Sequence, residues 1–78
     1  MGTKNNPGEF DCYFKAMPDE PMFILLARDN DAPLCVRTWA YYREMSIALG
    51  QRPKSDLVMV AEARACADAM ERWRVDRE

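Results

Sequence analysis

"PDEPMFILLARDNDAP", Pro18 to Pro33, decides how this chain is read. An acidic lead-in bracketed by prolines precedes six apolar or small residues, Met22–Ala27, and a polar exit carrying Arg28, Asp29 and Asp31. Six such residues between two sets of breakers is the length of a strand and short for a helix. A helix opening at Pro21 behind acidic groups is the alternative. The favoured strand, Met22–Arg28, would be covered on both faces, because the run is apolar without alternation.

Upstream, "FDCYFKAM" (10–17) does alternate, with Phe10, Cys12 and Phe14 on one side and Asp11, Tyr13 and Lys15 on the other. That period of two predicts a second short strand. Residues 1–9 are polar, contain Gly and Pro, and read as a flexible segment ahead of a single small domain over 10–78. Downstream, Asp31 is placed as an N-cap and Pro33 in the first turn of a helix, Ala32–Leu49, that stops at Gly50. "QRPKS" (51–55) leads to a second helix that starts at Ser55 or Asp56 and runs to about Val75. So short a link between helices predicts an antiparallel pair. The fold class expected is α+β, one or two short N-terminal strands followed by an antiparallel two-helix hairpin.

The two helices differ in their faces. Met59, Ala63, Cys66, Met70 and Trp73 recur at spacings of four and three, a narrow apolar seam, while Ala61, Ala65 and Ala69 form a small-residue stripe beside it. Arg64, Asp68 and Arg72 fall four apart and read as a solvated ladder. On the first helix, Val36, Trp39, Ala40 and Ile47, with the row Cys35, Tyr42, Leu49, cover most of the circumference. A helix apolar nearly all round needs covering on more than one side. One partner helix and a short sheet do not suffice, so the chain is expected to be a homo-oligomer. Both tryptophans are assigned to the core.

Composition narrows the function classes. Charged residues make up 31% of the chain, and no apolar run approaches the ~18 residues of a membrane span. A net charge of −2 provides no global attraction to nucleic acid, so general nucleic-acid binding is not expected. "MGTKNNPGEF" has one Lys and no apolar core, unlike a secretory signal. The three cysteines, Cys12, Cys35 and Cys66, are widely spaced and odd in number, which suits buried thiols in a reducing cytoplasm. With no histidine and no CxxC pair, neither a metal site nor a cofactor is expected.

The absence of histidine also removes Ser–His and Cys–His nucleophiles, and glycines at positions 2, 8 and 50 make no phosphate loop. The paired acids Asp19–Glu20 and Asp29–Asp31 flank prolines and a helix start, where turn-making and capping account for them. No enzyme is expected. Binding suits the residues better: Arg28, Arg37 and Arg43 offer planar cations, and Tyr41 and Tyr42 offer aromatic faces, the groups that fork phosphates and stack on bases. These five are the candidate ligand-binding residues. The plainer account pairs each arginine with a nearby acid, Arg37 with Glu44 two turns on.

"DEPMFILLARDNDAPLCVRTWA" (19–40), together with "MVAEARACADAMERWR" (59–74), resembles a group of small proteins encoded by bacteriophages and prophages. The shared pattern falls here on Asp19, Glu20, Pro21, Phe23, Leu25, Asp29, Ala32, Pro33, Val36, Trp39, Ala40, Glu62, Ala63 and Met70. It covers roughly Asp11 to Arg74. The group carries no established activity, so the resemblance implies a viral origin and an infected bacterial cytoplasm as the setting. Small phage proteins without catalysis commonly oppose host defence. The expectation is a counter-defence protein that sequesters a nucleotide-type immune signal without cleaving it. The alternatives are an anti-CRISPR-like inhibitor that binds a host defence protein directly, or a virion structural or assembly protein.

Overall fold

The computed structural model describes Met1–Arg77, and among these residues there is no strand. The α+β expectation is therefore corrected: the chain is all-helical, built from α1 (Ala32–Ala48) and α2 (Leu57–Arg77), with short 3-10 turns at Cys12–Phe14 and Lys54–Asp56. The segment expected as the first strand folds back on itself, with the N–H groups of Lys15 and Ala16 both donating to the Cys12 carbonyl at 3.0 and 2.9 Å. Asp11 reinforces the reversal by accepting the Gly8 N–H at 2.8 Å and the Gly2 N–H at 3.3 Å. Period two without a neighbouring ladder does not make a sheet face, and Tyr13 and Phe14 stay exposed.

Met22–Leu26 forms no regular element, and the run ends in a turn where the Asp29 N–H donates to the Leu26 carbonyl at 3.0 Å. Only Leu25 and Ala27 of this run are half-buried, while Phe23 is 86% exposed. An apolar run suits burial on two faces, but here it has cover on one at most.

Asp31 occupies the N-cap position of α1 without a side-chain cap, and its own N–H donates to Asp29 Oδ1 at 2.9 Å. The far end of α1 closes as the sequence predicts. The Gly50 N–H reaches the Ile47 carbonyl at 3.0 Å, the Gln51 N–H reaches the Ser46 carbonyl at 2.9 Å, and Gly50 takes φ 78°. That doubly bonded reversal needs a left-handed residue, which glycine supplies without a Cβ penalty.

The helices pack antiparallel, since Arg37 reaches Asp68 and Glu71 while Glu44 reaches Arg64. Between them lie Ala40 and Ile47 of α1 with Val60 and Ala63 of α2, joined at the edges by Met1 and Val36. Ala32 and Ala67 are also fully buried, and Val60 is the largest side chain with less than 2% exposure. The buried stripe of α2 is thus Val60, Ala63 and Ala67. Met59, Cys66 and Met70 flank it, and Ala61 and Ala65 face solvent.

A core made mostly of alanines lets the helices approach closely but removes little surface from water. The radius of gyration, 13.4 Å, exceeds the ~11.5 Å expected for a chain of this length. The accessible area, 6408 Å², likewise exceeds the ~4,900 Å² expected of a folded monomer of this mass. No helix among the described residues is long and apolar enough to cross a membrane.

Candidate functional site

The five arginines and tyrosines singled out in the sequence do not converge on one point. Arg37 sits on the α2 side of α1, held by Asp68 at 2.7 Å and by Glu71. Two carboxylates meet at its Nη2 and hold the guanidinium more firmly protonated, Glu71 above all. Arg28 lies elsewhere, on a groove with Leu25, Cys66, Met70 and Trp73 between the pre-helical run and the far part of α2. That groove encloses about 310 Å³. Burial pushes the Cys66 thiol up, so it rests there as a neutral thiol. Cys12 and Cys35, expected inside, are exposed.

Tyr42 and Arg43 do come together. With Trp39, Ser46 and Arg52 they line a cleft of about 250 Å³ on one flank of α1. Successive turns of the helix place Trp39, Tyr42/Arg43 and Ser46 in one row, and the chain reversal at Gly50 returns Arg52 to it. The Arg43 guanidinium stands 5.0 Å over the Trp39 ring and 3.3 Å from Asp56 of the following turn. Trp39, expected in the core, is instead 37% exposed and presents its ring to this cleft. Trp73 is also 40% exposed, with Arg77 stacked 3.8 Å over its ring. Tyr41 meets Tyr42 edge-on at 5.5 Å but does not line the cleft.

Sequence reasoning missed Arg52. It stands in the link between the helices and makes no ion pair among the described residues. The signal available was its place two residues after the stop glycine, where the reversal carries it back alongside the last turns of α1. Chemically, the cleft combines one free and one braced guanidinium, an indole face, a phenol and a hydroxyl. Those groups can fork an anion and stack on a planar ring. The Ser46 hydroxyl is engaged with the Tyr42 carbonyl at 3.1 Å. No nucleophile–base pair is present among the residues that line it.

Comparison of the chain with known protein families, with curated proteins and with solved structures gave no match.

Proposed function

We propose that this chain is a non-catalytic binding protein which, as a homo-oligomer, sequesters a phosphorylated aromatic small molecule of nucleotide type. The observation that carries this reading is the meeting of Arg43, Arg52, Tyr42 and Trp39 in one cleft. The two guanidiniums take the phosphate and the aromatic faces take the ring. At about 250 Å³ the cleft falls short of the ~300–1,000 Å³ typical of small-molecule sites, so sequestration there requires a second copy to complete it. The counter-defence setting in an infected bacterial cytoplasm follows from the resemblance to phage-encoded proteins and belongs to the same proposal.

A virion assembly protein is the second reading, and the unbroken uncharged outer face of α1 is the observation in its favour. Native mass spectrometry of the protein with a panel of cyclic and linear nucleotides tests the first reading. Uptake of one panel member, recovered chemically unchanged, supports sequestration. An oligomer that takes up no nucleotide overturns it and leaves the assembly reading in front.

A further inference from the structure

We infer that the outer face of α1 is a homodimer interface, across which a second copy of this chain packs antiparallel on Thr38, Tyr41, Tyr42 and Met45. This rests on the oligomeric half of the preceding reading and not on its ligand.

The distribution of charge on α1 carries the inference. The helix holds three charged residues, Arg37, Arg43 and Glu44, and all three pair within the chain, with Asp68 and Glu71, with Asp56, and with Arg64. The opposite side is bare of charge from end to end. Leu34, Tyr41, Tyr42, Met45 and Leu49 are 66%, 55%, 62%, 42% and 68% exposed there. Cys35, Thr38 and Ala48 complete the face and are also exposed. At ~100° per residue these positions span an arc of about 140°, centred opposite Ala40 and Ile47. Thr38 adds little polarity, since its hydroxyl donates to the Leu34 carbonyl at 2.8 Å. An ordinary surface helix spreads its charges over its outer face, and this one keeps all three on the flanks that meet α2 and the link.

Area is compatible with a protein partner. Over its whole surface, the segment before α1 included, the chain exposes roughly 1,500 Å² more than a monomer of its mass should, which leaves room for the about 800 Å² that a stable interface takes from each partner. Chemistry identifies that protein as a second copy. A face without charge offers nothing to a charged partner, and its residues match themselves under a two-fold axis between Tyr41 and Tyr42. Such an axis sets Leu34 against Leu49 of the partner subunit and Thr38 against the partner's Met45. Each tyrosine then lies beside its own counterpart, the Tyr41 pair on one flank and the Tyr42 pair on the other. The stripe is about 22 Å long, and antiparallel helix dipoles along it attract. The Trp39–Arg52 cleft lies on the Tyr42 flank, so the dimer sets its two clefts side by side with both Tyr42 rings between them.

Light scattering during size exclusion, with circular dichroism to verify helix content, tests the interface. The wild type should have twice the mass of the 9.0 kDa chain. Thr38→Glu and Met45→Lys should each halve that mass with helicity unchanged. The double variant Thr38→Glu/Met45→Lys should restore it, because only the antiparallel register brings the new carboxylate at position 38 to the new ammonium at position 45 of the other copy. Phe23→Asp, off this face, should leave the mass unchanged. A monomeric wild type overturns both this interface and the oligomeric reading. A wild-type oligomer insensitive to both single variants overturns the interface alone, and single variants without rescue overturn the antiparallel register.

Discussion

Arg64 of α2 holds Glu44 of α1 with both arms of its guanidinium, Nη1 on Oε2 at 3.0 Å and Nη2 on Oε1 at 3.1 Å. The fork joins the helices beside the buried Ala40 and Ala63. It keeps Glu44 ionised below the usual carboxylate range, the Arg64 hydrogen bonds being the main cause. Both groups face water, so the pair supplies geometry more than energy. Arg64→Lys removes one arm of the fork. The thermal midpoint should fall by only a few degrees in low salt, and by less in high salt. Melts at two ionic strengths check this, and a large drop indifferent to salt would show that the pair acts through packing.

The alanine-lined interface places most of the helix-pairing energy in very few atoms. Val60→Ala removes two methyl groups from the largest fully buried side chain and should cost about 1–3 kcal/mol of unfolding free energy. Ala63→Leu should cost a similar ~1–3 kcal/mol for the opposite reason, since Ala63 has no exposed surface and no room for three more carbons. Ala61→Leu and Ala65→Leu face solvent and should be close to neutral. Urea denaturation of the four variants would separate these positions. A tolerated leucine at position 63 would mean that the helices sit further apart than the structure places them.

These outcomes bear on what the sequence could reveal. Both helices, the stop at Gly50 and the antiparallel link were legible, because capping chemistry and 3.6-residue periodicity are local signals. The lack of strands was not, because alternation in Phe10–Met17 and length in Met22–Arg28 describe a segment's suitability for a sheet without supplying a second edge. The seam read for α2 held Ala63 but missed Val60 and Ala67 in favour of the bulkier Met59, Cys66 and Met70, since hydrophobicity ranks methionine above alanine while close helix approach prefers the smaller residue. Tyr42 and Arg43 were legible as candidates, and each stands one helical turn from Trp39 and from Ser46. Arg52 was not, because its approach to the cleft is made by a turn rather than by spacing. Arg37 was singled out as a ligand-binding residue, with Glu44 on its own helix as the plainer partner, and it is instead paired with Asp68 and Glu71 of α2, which periodicity within one helix does not reveal.

Gly50 offers a test of the reversal itself. Its φ of 78° is unfavourable for a residue with a Cβ, although a Cβ there would meet nothing within 4 Å. The penalty is therefore conformational only. Gly50→Ala should cost about 1–2 kcal/mol, and Gly50→Asn less, since asparagine enters the left-handed region more readily. Equal losses for the two variants, measured by thermal unfolding, would point to a steric cause instead.

Acid should loosen the N-terminal loop before it unfolds the helices. The hydrogen bond from the Gly8 N–H is the first reason that Asp11 titrates below its ordinary 3.8, with the Met1 ammonium at 3.4 Å adding to it against the opposing effect of burial. A carboxylate depressed in the folded state stabilises fully above its unfolded pKa and loses that contribution as pH falls through the folded value. Glu44, depressed by Arg64, follows the same sign. Stability should therefore be flat between about pH 5 and about pH 7 and fall below about pH 4, and Asp11→Asn should shallow that fall. Urea midpoints across this range check it, and an unchanged slope in Asp11→Asn would remove Asp11 from the acid response.

Ligand binding separates the arginines most sharply. Arg52 lines the cleft with no ion pair among the described residues, so Arg52→Ala costs the fold nothing that the structure records. It should weaken nucleotide binding about tenfold or more, the scale of losing a hydrogen bond to a charged group worth roughly 1.5–3 kcal/mol. Arg43→Ala should weaken binding at least as much but also frees Asp56 and uncovers Trp39, so it is the less clean of the two. Arg37→Ala should bind as the wild type does, because Arg37 does not line the cleft and its Nη2 is held by Asp68 and Glu71. Isothermal titration with the nucleotide identified by native mass spectrometry gives all three values. Binding lost in Arg37→Ala and kept in Arg52→Ala would move the site from the Trp39 cleft to the interface between α1 and α2.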